Sequence, residues 1–160
     1  GPGQHEDEQG LPFVGRSGQL LSTLLERVGL SRPEVYIANV VKCRPPGNRD
    51  PRPDEIEACK GYLIEQLRII DPAVVVTLGN FSTKLLLKTE TGITRMRGQI
   101  YPWWGRHVVP TFHPAAAHRK GPRVVEEMVS DLQLAVSVIE HRPEPVPAEP
   151  PEPHQTAMFS

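Results

Sequence analysis

Ala73-Val74-Val75-Val76-Thr77-Leu78-Gly79-Asn80 is the stretch that decides the fold. Its apolar, β-branched run lacks polar alternation and suits a strand covered on both faces, as strands in parallel sheets are. Gly79-Asn80 then turns the strand into a helix containing Phe81, Leu85 and Leu86. A parallel strand needs partners reached by crossovers. Two other short apolar runs qualify, Val35 to Val41 and His107 to Phe112.

Helical patterns separate these runs. Leu20, Leu21, Leu24, Leu25 and Val28 recur at helical spacing over residues 17–28, with Ser17 placed to cap the start and Gly29 to end it. A second helix carries Ile56, Cys59, Leu63, Leu67 and Ile70 on one face. The last, over about residues 123–140, turns Val124, Met128, Leu132, Ala135 and Ile139 inward. Residues 1–16 and the proline-rich stretch from Arg44 to Pro53 read as loops. Strands alternating with helices predict a three-layer α/β/α domain around a mainly parallel sheet, spanning residues 1–141. Residues 142–160 are rich in proline and glutamate and too poor in apolar side chains to bury, so they predict a disordered tail.

The 160 residues carry 18 Lys and Arg against 19 Asp and Glu, a net charge of −1, which neither demands nor excludes a polyanionic partner. The basic residues are grouped: Lys42, Arg44, Arg49 and Arg52; Arg95, Arg97 and Arg106; and His118, Arg119, Lys120 and Arg123. No apolar run reaches the ~20 residues of a membrane span, and Gly1 leads into an acidic polar stretch, so the expectation is a cytoplasmic protein with no membrane partner. Two cysteines do not make a secreted disulfide framework.

Ligands of such sheets sit at the carboxyl ends of the strands. Asn39, near the end of the first run, and His113, directly after the last, should face that rim. Four features carry chemistry. Gly1-Pro2-Gly3-Gln4-His5-Glu6-Asp7 with Gly10-Leu11-Pro12-Phe13-Val14-Gly15 offers close backbone approach and a flat ring; it can equally be a plain turn with Phe13 in the core. Asn39 carries a donor and an acceptor that can read one base edge, or can bond to backbone. Cys43 and Cys59 are half a metal site or two ordinary thiols. His113-Pro114-Ala115-Ala116 places a histidine that can stabilise a developing anion or serve structure alone.

Taken together, these blocks resemble the family 4 uracil-DNA glycosylases. Pro2-Gly3, Glu6-Asp7 and Gly10 to Gly15 are similar to the family's first motif, Asn39 to Pro46 with Cys59 to its second, and His113 to Ala116 to its third, in the family's order. The resemblance runs from Gly1 to about Ile139. It implies an enzyme that hydrolyses the N-glycosidic bond of uracil in DNA and so starts base excision repair. It implies that Phe13 stacks on the flipped uracil and Asn39 bonds its pairing edge. Glu6 and His113 would be the catalytic residues: Glu6 would lie beside the ring, positioning water or restricting larger bases, and His113 would bond O2 as negative charge collects there. It implies that Cys43 and Cys59 are two of four thiolates holding a [4Fe–4S] cluster, and that Lys42, Arg44, Arg49 and Arg119 meet DNA. The protein is expected to act as a monomer.

Two departures accompany the resemblance. The family's Gly-Glu before the position of Gly1, with its leading strand, and the family's other two cysteines are absent, which reads as an N-terminal truncation with the first strand missing. A non-catalytic or impaired uracil-DNA-binding remnant is therefore the alternative function. A related subclass that binds uracil-DNA covalently carries an inserted basic loop with a reactive histidine; here Arg44 to Arg49 runs directly to Pro53 without one.

Overall fold

The computed structural model describes residues 1–141. Within them, three strands form one sheet in the order β1 (Val74–Leu78), β3 (Arg106–Thr111), β2 (Tyr101–Trp103). β1 and β3 pair in parallel, from Val74 opposite His107 to Leu78 opposite Thr111. β2 runs antiparallel to β3, so the sheet is mixed. The hairpin between them has a two-residue loop, Trp104 and Gly105, both at positive φ, the backbone that matches strand twist.

Alternation along the paired strands divides the core. Val75 and Val108, opposite each other in register, face Leu86 and Leu67. Val76 faces the other way, into the cluster of Leu24, Phe112, Met128 and Leu132. Helices α2 (Arg16–Arg27), α6 (Pro114–Lys120) and α7 (Pro122–Glu140) build that second face. Helices α3 (Pro53–Ile70) and α4 (Asn80–Leu87) supply Leu67 and Leu86 on the first. The sheet is covered on both sides, an α/β arrangement. Two short helices, α1 (Gln4–Gln9) and α5 (Ile93–Met96), complete the set.

Several local expectations are corrected. Val35 to Val41 is not a strand. Its side chains alternate, with Val35, Ile37 and Asn39 half-buried and Tyr36 and Ala38 exposed. The stretch and edge strand β1 line one cavity with no ladder joining them. Strand propensity without a ladder partner does not make a strand. Residues 1–16 are not all loop, since α1 forms there with Gly10 in the left-handed C-cap position. Helix α2 starts at Arg16 with Gly15 in the N-cap position, so Ser17 lies inside the first turn and does not cap it. Gly29, at φ +80°, follows its end. Within the Arg44–Pro53 loop, Pro46–Asn48 makes a single 3₁₀ turn. On α7, Val124, Met128, Leu132 and Ala135 are buried but Ile139 is 44 % exposed. On α3 the apolar face is half-buried at Leu63 and Leu67, and Ile70 is exposed, because this face borders the cavity rather than a packed core. The tail expected at 142–160 lies outside the described residues.

Candidate active site

A cavity of about 730 Å³ opens beside β1. Phe13, Asn39 and His113, distant in sequence, all line it, together with Pro2, Gly3 and Arg49. Its size is ordinary for a ligand pocket.

Phe13 is presented by an unusual backbone. Its φ is +52°, in the left-handed region that costs a side-chain-bearing residue about 1–2 kcal/mol. Local contacts hold it there. Glu6 Oε1, on α1, accepts from the Val14 and Gly15 amides at 3.0 and 2.9 Å. Burial pushes the Glu6 carboxyl up, but its backbone hydrogen bonds together bring it below the usual glutamate range. From the other side the Arg32 guanidinium donates to the carbonyl oxygens of Phe13, at 2.5 Å, and Pro12. Gly18 on α2 completes the seat: a Cβ there would lie 1.8 Å from the Phe13 carbonyl oxygen.

His113 follows β3 and caps the N-terminus of α6. Its Nδ1 accepts from the Ala115 amide at 3.1 Å, which leaves Nε2 to carry the proton of the neutral ring. Burial lowers its pKa first, with Arg119 adding to the effect, so the ring stays neutral near pH 7. The Phe13 and His113 rings are 5.6 Å apart and tilted by 34°. Behind the histidine, Gly79, at φ +93°, donates to the Thr111 carbonyl at 2.9 Å. A Cβ at Gly79 would lie 3.1 Å from His113 Cβ, so strand end and histidine meet closely.

Asn39 is half-buried, and its backbone carbonyl accepts from Lys42 Nζ at 2.8 Å. Among the described residues no hydrogen bond engages its side-chain amide, so donor and acceptor are both free for a ligand.

The remaining sequence-selected residues lie elsewhere. Glu6 does not line the cavity, because its carboxylate is committed to backbone. Cys43 is exposed; Cys59, half-buried on α3, accepts from the Lys42 amide at 3.4 Å, next to Cys43 in sequence. Among the described residues no three potential metal ligands gather. Lys42 also donates to Gln66 Oε1, Arg44 to Asn48 Oδ1, and Arg49 grips Glu55 through both guanidinium nitrogens. Arg119 is exposed on α6. Arg97, grouped by sequence with a basic patch, instead forks onto buried Asp131. Sequence reasoning missed Arg32, Gly18, Gly79 and Asp131. In the sequence Gly79 reads only as a turn, and the others carry no local signal.

Residues 1–133 match the family described as the uracil DNA glycosylase superfamily. The chain belongs to that superfamily. It is 49 % identical over 125 residues to the type-4 uracil-DNA glycosylase of Sulfurisphaera tokodaii, covering 72 % of this chain and 57 % of that one. It is 44 % identical over 142 residues to the type-4 enzyme of Thermotoga maritima, covering 87 % and 74 %. A type-5 uracil-DNA glycosylase of Thermus thermophilus is 32 % identical over 154 residues, covering 83 % and 69 %. Similarity to the type-4 proteins is thus the stronger. Among the described residues no helix is long and apolar enough to cross a membrane.

Proposed function

We propose that the chain removes uracil from DNA by hydrolysing its N-glycosidic bond, with Phe13, Asn39 and His113 receiving the extruded base. The convergence of these three residues on one cavity carries the reading. The base must leave the helix before any side chain reaches it, and a stacking surface offsets part of the unstacking cost. Phe13 supplies that surface. The free Asn39 amide accepts from uracil N3–H and donates to O4; cytosine presents the opposite pattern and is refused.

As the bond from C1′ to N1 breaks, its electron pair moves onto the base and spreads to O2. Water adds to C1′, and the proton it gives up ends on the departing uracil anion through solvent, so the products are neutral uracil and a sugar hydroxyl. Neutral His113 donates from Nε2 to O2 as charge collects there, the work of an oxyanion-type donor. Its lowered pKa suits that role, since the proton stays in a hydrogen bond and need not be transferred. Glu6 acts here through the loop it holds, because its bonds are to Val14 and Gly15.

A [4Fe–4S] cluster asks for four thiolates. Cys43 and Cys59 are the two cysteines of the sequence and fit half of that set, so no step of this reaction is routed through a cluster. Lys42, Arg44, Arg49 and Arg119 are proposed to meet the phosphates of DNA, with the first three already oriented by their intramolecular bonds. The reading is of a monomer working in the cytoplasm on its DNA substrate directly.

The test measures uracil release from a uracil-containing oligonucleotide and, separately, the affinity for it against a matched thymine strand. Release together with uracil-selective binding supports the enzyme. Selective binding without release favours the impaired remnant, and no selectivity sinks both.

A further inference from the structure

We infer that Arg32 is a positioning residue for base recognition, acting through Phe13; the inference rests on the reading that Phe13 stacks on the base. Arg32 opens a 3₁₀ turn (Arg32–Glu34) whose last residue lines the cavity, but it does not line the cavity itself. Its guanidinium reaches back 19 residues to the Phe13 carbonyl at 2.5 Å and 20 residues to that of Pro12, and touches Ser22 Oγ at 3.5 Å. A planar fork is the shape that can hold two successive carbonyls at once, which a lysine ammonium cannot reproduce.

The geometry makes this more than a brace. The peptide joining Phe13 to Val14 is gripped at both ends, its oxygen by Arg32 and its amide by Glu6. Opposite charges thus pull on opposite poles of one peptide unit and fix its rotation. Arg32 also holds the Pro12 carbonyl, in the peptide that precedes Phe13, so the peptides on both sides of the Phe13 Cα are fixed at the strained φ of +52°, and with them the direction in which its side chain leaves the backbone. Without Arg32 the carbonyl side is free to turn toward an ordinary backbone conformation, and the hold of Glu6 on the Val14 and Gly15 amides loosens with it. Gly18 supplies space and no bond: its missing Cβ merely permits the close approach. Arg32 is therefore the group that converts a permitted conformation into the populated one. Its partner turn is tied independently, since Glu34 bonds the Ser31 amide and hydroxyl. The guanidinium thus starts from a fixed base.

The experiment uses the full chain and two readouts. Affinities for a single-stranded oligonucleotide with one uracil and for its thymine match are measured by anisotropy for the parent, Arg32→Met, Arg32→Lys, Phe13→Ala and the double variants. Arg32→Met should lose about tenfold of the uracil preference, the scale of a misplaced contact, with binding to the thymine strand unchanged. In the Phe13→Ala background the same change should cost less than about twofold, because coupled residues are not additive. Arg32→Lys should recover only a minor part. Backbone amide exchange is the second readout: Val14 and Gly15 should exchange about tenfold faster in Arg32→Met while β1 and β3 amides keep their rates. Additive losses, an unchanged preference, or unchanged exchange at Val14 and Gly15 each overturn the inference. If Arg32→Met does not fold, Arg32→Lys decides by the same comparisons. A parent without uracil preference, or a Phe13→Ala variant that retains it, overturns the stacking reading instead, and the exchange result then still reports on the clamp.

Discussion

Asp131→Asn is the perturbation that most directly weighs the polar group buried beneath the site. Asp131 is 1 % exposed and accepts from three donors: Arg97 Nε at 3.0 Å, an Arg97 terminal nitrogen at 2.7 Å, and Thr111 Oγ1 at 2.7 Å. Arg97 has one other bond, to the Glu127 carbonyl at 2.9 Å, and lies 5.5 Å from the Phe112 ring centre. Burial raises the Asp131 carboxyl above the ordinary aspartate range, outweighing Thr111 and Arg97, which pull it down. Both charges must leave water to form such a pair, so a buried ion pair brings little or no net gain over an apolar cluster of the same shape. Breaking it is another matter. Asparagine keeps one acceptor oxygen but leaves the guanidinium without a counter-charge, a change that costs ~3–5 kcal/mol when both partners are buried. Arg97 is 19 % exposed, which puts the expectation at the lower end. About 3 kcal/mol lowers the melting temperature by about 6–12 °C in a domain of this size. The assay is thermal unfolding followed by circular dichroism. The companion variant replaces all three side chains by apolar ones, Arg97→Met, Thr111→Val and Asp131→Leu. It should recover at least half of the loss, because it leaves no charge unpaired. An Asp131→Asn protein melting within about 2 °C of the parent would refute the reasoning, as would a triple variant less stable than the single one.

Three further outcomes follow from the site. Asn39→Asp removes the donor for uracil O4, and an unpaired buried polar group costs ~1–3 kcal/mol, so uracil release and uracil-selective affinity should fall about 10- to 100-fold while cytosine binding rises; near-normal uracil release would make Asn39 structural. Gly18→Ala places a methyl 1.8 Å from the Phe13 carbonyl oxygen, backbone that cannot step aside. It should cost at least about 1–3 kcal/mol in thermal unfolding and abolish the uracil preference, whereas a silent substitution would contradict the seat described for Phe13. Glu55 is held at a pKa of about 2 by Arg49 first and the Arg52 amide second. Since this folded value lies below the ordinary 4.5, the bridge supports the 44–53 loop fully above pH 4.5 and loses that support as pH falls toward 2; carbon-detected NMR titration should find the low midpoint, and one near 4.5 would show the bridge open in solution.

The parts of the fold legible in sequence are those specified by a local run. β1 and β3 are short apolar stretches bounded by Gly79 and His113, and the buried stripe of α7 repeats at helical spacing. β2 escaped because three residues with a central proline, Tyr101-Pro102-Trp103, carry no strand pattern of their own. The reverse error at Val35 to Val41 has the same origin: β propensity describes how a side chain fits a sheet, and here no neighbouring ladder exists to fit. Asn39 nonetheless lines the cavity, since the chain carries it to that rim without a ladder.

The candidate site divides along a similar line. Phe13, Asn39 and His113 stand out because each interrupts its surroundings: an aromatic among glycines, an amide in an apolar run, an imidazole before proline. The groups that hold them do not. Arg32 acts across 19 residues on Phe13, and Asp131 across 20 on Thr111, two positions before His113. An arginine on a turn and an aspartate in a helix are ordinary surface residues until the chain closes. Glu6 shows the cost of reading chemistry from residue type alone. A carboxylate beside a glycine-rich motif suggests contact with the ligand, yet its oxygen is spent on two amides. Holding a strained phenylalanine in place needs charge on both sides of one peptide. The acidic member lies seven residues from Phe13 and could be noticed, whereas the basic member is visible only in three dimensions.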